Sequence, residues 1–185
     1  DDVFRSTANP AYASGSFEPA GGFAGGGLKV DLSNINGNDI FGMSGGWRSN
    51  FPLAVPSDVR IQFRYRLDHA ANYETDEYSD VLLSVDSTLQ GASGNDYIVR
   101  VTGDGQGGSL QSTGWQLANI GIHDLSAGSH NITIGAFNNQ KTFADEFTEV
   151  FIDNVSVVAT TLTTSTSTTT IPATVTRGPY LQIGT

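Results

Sequence analysis

The sequence predicts an all-β protein: an antiparallel jelly-roll β-sandwich followed by a Thr-rich linker and a C-terminal β-strand tail. Short apolar stretches with the two-residue alternation of half-buried strands recur along the chain, and Gly-rich turns separate them. The 185 residues include 22 Gly, 10 Phe and 6 Tyr, a composition typical of short strands joined by turns. No helical period separates the strands, which favours an antiparallel sandwich over a parallel α/β fold.

The predicted strands follow a Gly- and Ala-rich stretch at residues 1–27 and have short, regular spacing. They are 28–32, 40–47, 59–67, 79–86, 96–102, 114–122, 130–137 and 149–158. In the strand 59–67, apolar side chains share one face, and Arg60, Arg64 and Arg66 lie on the other. We expect the carboxylates of a neighbouring strand to pair with these arginines.

The composition divides the chain into three parts. Residues 1–159 form the sandwich, 160–173 are a Ser/Thr-rich linker that cannot bury apolar surface, and 174–185 are a short C-terminal segment. The last part regains β-propensity but cannot form a domain alone. We expect it to form a strand that pairs with a sheet edge of another copy, so that the protein is its own partner. The residues expected at this subunit contact are Val175, Tyr180, Leu181 and Ile183.

The charge and the lack of cysteine limit the possible partners and cofactors. A net charge of −10 would repel nucleic acid and anionic lipid but favours bound cations. The absence of Cys excludes disulfides and thiolate-ligated metals. No apolar stretch is long enough for a membrane span. The chain begins at Asp1 without an apolar signal region, from which we expect a processed protein that is secreted or held at the cell surface.

Two acidic turns of similar sequence each lead directly into a predicted strand. Residues 75–81 read TDEYSDV and residues 144–150 read ADEFTEV. If the two strands are neighbours, up to six carboxylates meet at one rim of the sandwich, a set of hard oxygen ligands that suits Ca²⁺. The alternative is a solvated edge whose charge prevents aggregation between sheet edges. The candidate calcium ligands are Asp76, Glu77, Asp80, Asp145, Glu146 and Glu149.

The segments TDEYSDVLLSVD, DYIVRVTGDGQGG, LSAGSHNITIGAFNNQKT and DEFTEVFIDNVSV resemble extracellular jelly-roll modules related to carbohydrate-binding modules. The resemblance covers about residues 40–158. It implies a module that binds sugars, holds a structural calcium ion or decorates a larger secreted protein. It also gives Asp153 two alternative roles, a calcium ligand or a hydrogen-bonded clasp to the N-terminal strand.

The tail carries a second, shorter resemblance. Residues 177–182, RGPYLQ, are similar to the opening strand of the fibronectin-like domain of purple acid phosphatases. The phosphatase's metal-ligand motifs do not occur in this sequence. This similarity therefore implies at most a fusion with such an enzyme, and no phosphatase activity in this chain.

Enzyme-like motifs have simpler explanations as turns. GMSGG at 42–46 has no following helix to build a nucleophile elbow, and GDGQGG at 103–108 leads into another strand rather than a phosphate-binding helix. Of the two tryptophans, Trp115 is expected in the core, whereas Trp47 could pack or stack on a sugar ring. The candidate sugar-binding residues are Trp47, Asn138, Asn139 and Gln140.

Two non-catalytic functions agree with these observations. The first is a calcium-stabilised extracellular structural or adhesive subunit that assembles, as a filament or surface layer, through its C-terminal strand. The alternative is a carbohydrate-binding module of a larger secreted enzyme, with a metallophosphoesterase as one candidate and polysaccharide as the partner. Neither function uses catalytic residues, so we predict no enzymatic activity.

Overall fold

The structure is a computed structural model that describes residues 4–5, 12–33, 39–105 and 107–162. These described residues form strands and no α-helix, which confirms the predicted all-β class. Accordingly, none of them lies in a helix that could cross a membrane. The strands are β1 (Ala13–Glu18), β2 (Gly27–Leu32), β3 (Ile40–Leu53), β4 (Ser57–His69), β5 (Tyr78–Val85), β6 (Thr88–Gln90), β7 (Val99–Thr102), β8 (Gln111–Ser112), β9 (Gln116–Leu125), β10 (Gly128–Lys141) and β11 (Thr148–Thr161).

The strands pack as two antiparallel sheets. In the first sheet the order is β1-β2-β11-β4, and the far edge of β4 pairs with both β8 and β9. In the second sheet the order is β3-β10-β5, and the far edge of β5 pairs with β6 and β7. Among the described residues, β1 and β3 each pair on one side only. The sandwich therefore presents open edges, as an antiparallel sandwich that does not close into a barrel must.

The apolar faces of the two sheets meet in one main core. Ile61, Phe63 and Leu67 of β4 are completely buried and belong to the same cluster as Leu83 of β5 and Ala136 of β10. Their spacing of two residues is the alternation seen in the sequence. Each large apolar side chain buried in this way contributes about 1.5–3 kcal/mol to folding, which is why the alternation determines which face of each strand points inward.

A smaller apolar cluster lies on the outer face of the second sheet. Leu82 and Phe137 alternate with core residues of β5 and β10, and Phe4 packs against them with 3% of its surface exposed. Residues near the N-terminus therefore cover part of this sheet.

Several strand boundaries differ from the predicted ones. The Gly-rich start contains β1, which pairs along its whole length with β2. β3 continues to Leu53, because β10 supplies pairing partners as far as Gly128. β11 ends at Thr161, two positions beyond the predicted domain boundary at 159, because Thr161 still pairs with Ser57. Leu162 follows as the last described residue, and residues 163–173 of the predicted linker lie outside the described residues.

Candidate functional site

Three carboxylates converge where the two acidic turns meet. Glu74 and Glu77 belong to the turn before β5, and Glu146 belongs to the turn before β11. β10 pairs with β5 and leads directly into the second turn, so the pairing brings both turns to one end of the sandwich. One carboxylate oxygen from each of the three residues lies within 4.8 Å of the others. We call Glu74, Glu77 and Glu146 the carboxylate cluster.

Two members of the carboxylate cluster are removed from water. Glu77 is 0% and Glu146 is 1% exposed. One oxygen of Glu77 accepts a hydrogen bond from the N–H of Glu74 at 2.9 Å, and one of Glu146 accepts from the N–H groups of Thr142 and Phe143. The other oxygen of each carboxylate is buried without a hydrogen-bond partner among the described residues.

The burial of these groups shifts their protonation. Burial raises the pKa of Glu77 to about 8, and the neighbouring carboxyls Glu74 and Glu146 add to the rise. Burial likewise raises the pKa of Glu146. Carboxyl groups whose pKa is raised by burial and by neighbouring carboxyls favour binding of a proton or a metal cation.

Lys141 lies beside the carboxylate cluster as a buried ammonium group. It is 1% exposed, and its Nζ donates hydrogen bonds to the backbone carbonyls of Phe143 and Glu146, the latter at 2.5 Å. Burial lowers its pKa. One ammonium group beside three carboxyl groups leaves negative charge in excess when all are ionised. The cluster therefore has the charge and the oxygen ligands for a further cation.

Four of the six predicted calcium ligands lie at this end of the sandwich. Glu77 and Glu146 are members of the cluster, while Asp76 and Asp145 are exposed in the same turns. Asp145 accepts a hydrogen bond from the side-chain amide of Asn72. Glu74 and Lys141 were not among the candidates, because neither belongs to the repeated heptapeptides that singled out the two turns.

The other two predicted ligands, Asp80 and Glu149, do not join the cluster. Both lie within strands, where the alternation directs them to the outer faces of opposite sheets. Asp80 pairs with Arg100 on the second sheet, and Glu149 pairs with Lys29 on the first. Of the up to six carboxylates predicted to converge, these two instead pair with cations on the outer faces of the sheets.

Asp153 lies on β11 of the first sheet. Its Oδ2 accepts a hydrogen bond from the N–H of Ala24 at 3.1 Å, in the loop that joins β1 to β2. This contact agrees with the clasp to the N-terminal strands that was one of its two expected roles.

The predicted sugar-binding residues do not form one site. Trp47, 36% exposed at the open edge of β3, donates its indole N–H to the carbonyl of Lys29 at 3.0 Å. Asn138 is fully buried and donates to Tyr78, while Asn139 donates to the carbonyl of Asp76. The two asparagines thus hold the first acidic turn against β10.

Gln140 is partly buried and pairs with Phe41 on β3. In the register of β3 and β10, the partner of Trp47 is Ile134, six positions from Gln140. The grouping of Trp47 with residues 138–140 is therefore not supported, because the register of β3 and β10 places them at different positions along the strands. Sequence spacing alone does not give this register.

A row of aromatic rings and arginines crosses the outer face of the first sheet. The rings of Phe23 and Trp115 meet edge to face, with centroids 6.0 Å apart. The guanidinium of Arg64 lies 4.4 Å from the Phe23 centroid, and that of Arg66 lies 4.1 Å from Phe151 and 5.6 Å from Trp115. We call these five residues the aromatic–arginine platform.

The platform comes from four separate parts of the chain. Arg64 and Arg66 occupy the outward positions of β4, as the alternation predicts. Phe151 is the outward residue of the neighbouring strand β11 and pairs with Arg66 in register. These arginines were expected to pair with carboxylates of a neighbouring strand. Instead they stack on aromatic rings, and Arg66 also bonds Asp68, which lies two positions along its own strand.

The sequence did not predict the positions of the two remaining rings of the platform. Trp115 was expected in the core, but it is half-buried on the outer face because it lies just before β9, outside the alternation that points Ala118 and Ile120 inward. Phe23 lies in the Gly-rich segment GGFAGGG and remains 47% exposed. A single bulky aromatic residue within a glycine-rich loop is the signal that could have identified it.

A groove continues the same face toward the other end of β4. It has a volume of about 380 Å³, and its lining includes Arg60, Gln62, Gly121, His123 and Val158. Gly121 has no atom within 4 Å of the position that a Cβ would take, so the floor of the groove is open.

The C-terminal residues expected at a subunit contact, Val175, Tyr180, Leu181 and Ile183, lie outside the described residues, as does the predicted strand 174–184.

No protein-family model matches the chain, and no curated protein matches its sequence. Among solved structures, a putative sugar-binding protein from Bacteroides thetaiotaomicron is 9% identical, with a TM-score of 0.42 over 85% of this chain and 86% of that one. The CBM61 module TmCBM61, solved in complex with β-1,4-galactotriose, is 14% identical, with a TM-score of 0.33 over 83% and 97%. A CBM4 module is 9% identical, with a TM-score of 0.34 over 82% and 96%. At TM-scores this low, the functional argument rests on the residues of this chain.

Proposed function

We propose that the protein is a non-catalytic carbohydrate-binding module of the secreted or cell-surface compartment, with polysaccharide as its partner. The observation that carries the proposal is the aromatic–arginine platform on the outer face of the first sheet. The site would lie on this open face rather than around Trp47 and residues 138–140.

The platform has the two kinds of group that a sugar requires. The apolar face of a pyranose ring packs on an aromatic face, and Phe23 and Trp115 keep ring surface accessible. The hydroxyl groups of a sugar accept hydrogen bonds from guanidinium groups, and Arg64 and Arg66 lie beside those rings. Stacking on Phe23 and Phe151 also holds the two guanidinium groups in place before a ligand arrives.

The groove along β4 extends this surface for a chain of several sugars. The positions from Arg60 to Arg66 span about 20 Å at the rise of an extended strand. Gln62 and His123 line the groove with groups that can both donate and accept hydrogen bonds. A linear oligosaccharide lying along β4 would contact the groove and the platform together.

The closely spaced carboxylates do not provide a glycosidase site. Hydrolysis requires two acidic groups on either side of the scissile bond, in a cleft that the substrate enters. Glu77 and Glu146 have the proximity but are 0% and 1% exposed, so a sugar cannot reach them. This burial supports a binding role without catalysis.

The binding proposal can be tested with calorimetric titration against a panel of soluble β-linked oligosaccharides and with affinity electrophoresis on polysaccharides. Trp115→Ala and Phe23→Ala should each weaken binding at least tenfold, because each removes a stacking surface. The matched control is Phe41→Ala, which removes an aromatic residue that is 62% exposed on the other sheet and should bind as the wild type does. Wild-type protein that binds none of the panel, or variants that bind unchanged, would disprove the site.

We also propose that a Ca²⁺ ion binds the carboxylate cluster and stabilises the meeting of the two turns. The unpartnered buried oxygens of Glu77 and Glu146 support this, since a buried acceptor without a partner is costly and an ion would satisfy both. Oxygen ligands and excess negative charge fit Ca²⁺ better than zinc. At a hundredfold excess over its dissociation constant, the ion would add about 2.7 kcal/mol to the free energy of unfolding.

Calcium binding should depend on pH in a defined direction. Without an ion, the Glu77 pKa of about 8 lies above its value of 4.5 in the unfolded chain. The free energy of unfolding should therefore fall as pH rises from about 4.5 to 8, because the folded state retains the proton longer. An ion displaces that proton, so calcium should raise the melting temperature more at pH 8 than at pH 5.

The variants Glu77→Gln and Asp145→Asn separate a bound ion from a solvated acidic edge. Glu77→Gln should abolish the calcium-dependent shift of the melting temperature and reduce the fall in stability above pH 4.5 to the part that the raised pKa of Glu146 contributes. Asp145→Asn changes an exposed carboxylate in the same region and should retain at least half of the shift. If calcium and chelator give the wild type the same melting temperature at pH 8, the acidic turns are only a solvated edge.

A third proposal is assembly through the C-terminal segment 174–184. The open edge of β3 is the observation that supports it. Beside that edge lies an apolar cleft of about 340 Å³ between the two sheets. Its lining includes Leu28, Trp47, Ile132, Ile134, Ile152 and Val155. A strand that paired with β3 could place alternate apolar side chains in the cleft.

Deletion of residues 171–185 tests the assembly proposal. Light scattering and electron microscopy should show that the full-length protein forms oligomers or filaments and that the deletion variant stays monomeric. Assembly of the deletion variant to the same extent, or a tail found docked on its own domain, would disprove contact between copies. A repeat of the sugar titrations on the deletion variant separates this outcome from the binding proposal.

A further inference from the structure

We propose that the outer face of the second sheet is a binding site for an aromatic residue followed by arginine, and that Phe4 and Arg5 of the chain itself fill it. We call these two residues the N-terminal clasp. The proposal concerns the face opposite the platform and does not depend on the carbohydrate site.

The aromatic half of the site is built to accept a ring. Phe4 lies against Leu82 and Phe137 and is 3% exposed. A Cβ added to Gly46 would lie 3.0 Å from the Phe4 ring and 2.8 Å from the carbonyl oxygen of Ile134. The absence of a side chain at position 46 therefore leaves the space that the ring occupies. The hydroxyl of Ser44 donates to the carbonyl of Phe4 at 3.1 Å, which fixes the backbone as well as the ring.

The charged half of the site recognises the guanidinium of Arg5. Its two terminal nitrogens donate to Asp80 and to Asp96, each at 2.9 Å. The same guanidinium lies 4.6 Å from the centroid of Phe137. Two carboxylates and one ring face thus contact a single arginine, whose side chain is only 16% exposed.

Asp80 makes this half of the site specific for a cation. Its side chain is 0% exposed, and Arg100 already holds both of its oxygens, at 2.7 and 2.8 Å. With Arg5 present, two arginines balance Asp80 and Asp96. Without Arg5 the group carries an excess negative charge in a chain of net charge −10, so the site should bind a cationic residue strongly.

Arg100 is itself fixed by neighbouring rings and keeps the site in shape. Its guanidinium lies 3.7 Å from the centroid of Tyr78 and 4.5 Å from that of Tyr97. Because β5, β7 and the loop that precedes β7 supply these residues, the receptor half of the site does not depend on the residues that fill it. This independence is the reason for expecting a separate peptide to bind once the clasp is weakened.

The test is complementation by a separate peptide. The full-length variant Phe4→Ala/Arg5→Ala has a vacated site, and the probe is a synthetic peptide of residues 1–7, DDVFRST, with a fluorophore at its C-terminus. Fluorescence anisotropy should show saturable binding to the variant and at least tenfold weaker binding to the wild type, whose own residues compete. Peptides with alanine in place of the phenylalanine or the arginine should each bind the variant at least tenfold more weakly than DDVFRST.

Two further measurements keep the outcome decisive. The single variant Arg5→Ala retains Phe4 in its apolar cluster and vacates only the charged half of the site, so if the double variant does not fold, this variant should still bind DDVFRST more tightly than the wild type does. A receptor variant, Asp96→Asn, removes the more exposed of the two carboxylates and should weaken peptide binding to an Arg5→Ala protein without changing sugar affinity. Equal peptide affinity for wild type and vacated variants, or equal affinity of all the peptides, would overturn the proposal.

Discussion

The two outer faces of the sandwich both carry arginines stacked on aromatic rings, but one face is covered by another part of the chain and the other is open. On the second sheet, Arg100 stacks on Tyr78 and pairs with Asp80, whose side chain is 0% exposed. On the first sheet, Arg66 stacks on Phe151, and its side chain is as exposed, at 30%, as that of Arg100, at 31%; its carboxylate partner Asp68 keeps 13% exposure. The second face is covered by the N-terminal clasp, and the first is open. Stacked arginines alone therefore do not mark a binding face; what differs is whether another part of the chain already covers the carboxylates and rings beside them, as Arg5 covers Asp80 and Phe137.

The difference follows from where the charges lie. A buried carboxylate requires cationic partners that remain in place, so the Asp80 network ties together β5, β7 and the N-terminal clasp. Among the acids near the platform, Glu149 and Asp68 have side chains that are 24% and 13% exposed, so water shares in solvating them. The first face can consequently exchange water for a ligand with little loss of folding energy.

The largest effect that this comparison predicts is the loss of folding stability caused by Asp80→Asn. The change removes the charge that two arginines share in a buried network, and it should lower the free energy of unfolding by about 3–5 kcal/mol. The matched change on the open face, Glu149→Gln, should cost about 0–1 kcal/mol, because its pair with Lys29 is partly exposed. Urea unfolding followed by tryptophan fluorescence measures both. Equal losses for the two variants would show that the faces do not differ in this way.

A second pair of variants compares how closely the backbone is packed on the two faces. A Cβ on Gly135 would clash with the carbonyl oxygen of Gly45 and the Cα of Gly46, so Gly135→Ala should cost about 1–3 kcal/mol. A Cβ on Gly121 meets nothing within 4 Å, so Gly121→Ala should change stability by less than about 0.5 kcal/mol.

Denaturant midpoints at unchanged m-value would establish that both glycine variants report on the folded state. A neutral Gly135→Ala would mean that β3 and β10 can separate without cost, which contradicts the close packing on the covered face. A strongly destabilising Gly121→Ala would mean that the floor of the groove is not open.

Much of the fold was predictable because it follows from a local rule. The alternation in β4 placed Ile61 and Phe63 in the core and Arg64 and Arg66 on the surface, as observed. The two acidic turns were also found from the sequence, since their similarity is local. The meeting of Glu77 with Glu146 required only the pairing of β10 with β5.

The sites themselves were less predictable, because they depend on contacts between distant segments. The platform needs Phe23 to lie over β4, about forty residues along the chain, and no local pattern encodes that approach. Asp80 looked like a metal ligand beside Glu77, yet Glu77 lies in the turn before β5, whereas Asp80 lies within β5, where the alternation of the strand directs its side chain to the outer face. Trp115 looked like a core residue because a tryptophan usually buries a large area.

The smallest predicted effect concerns Arg64, and it separates a binding surface from a structural one. Its guanidinium lies 4.4 Å from the centroid of Phe23, a ring that is 47% exposed, and a cation–π contact in such a setting contributes about 0.5–1 kcal/mol. Arg64→Ala should therefore reduce the free energy of unfolding by no more than about 1 kcal/mol, whereas it should weaken binding of an oligosaccharide at least fivefold. Arg64→Lys keeps the charge but loses the planar fork, so its stability should match the wild type while its sugar affinity lies between the two. Urea unfolding and calorimetric titration on the same preparations compare the two quantities directly. A loss of stability above about 2 kcal/mol with sugar binding unchanged would show that the open face serves folding, as the covered one does, and that the ligand binds elsewhere.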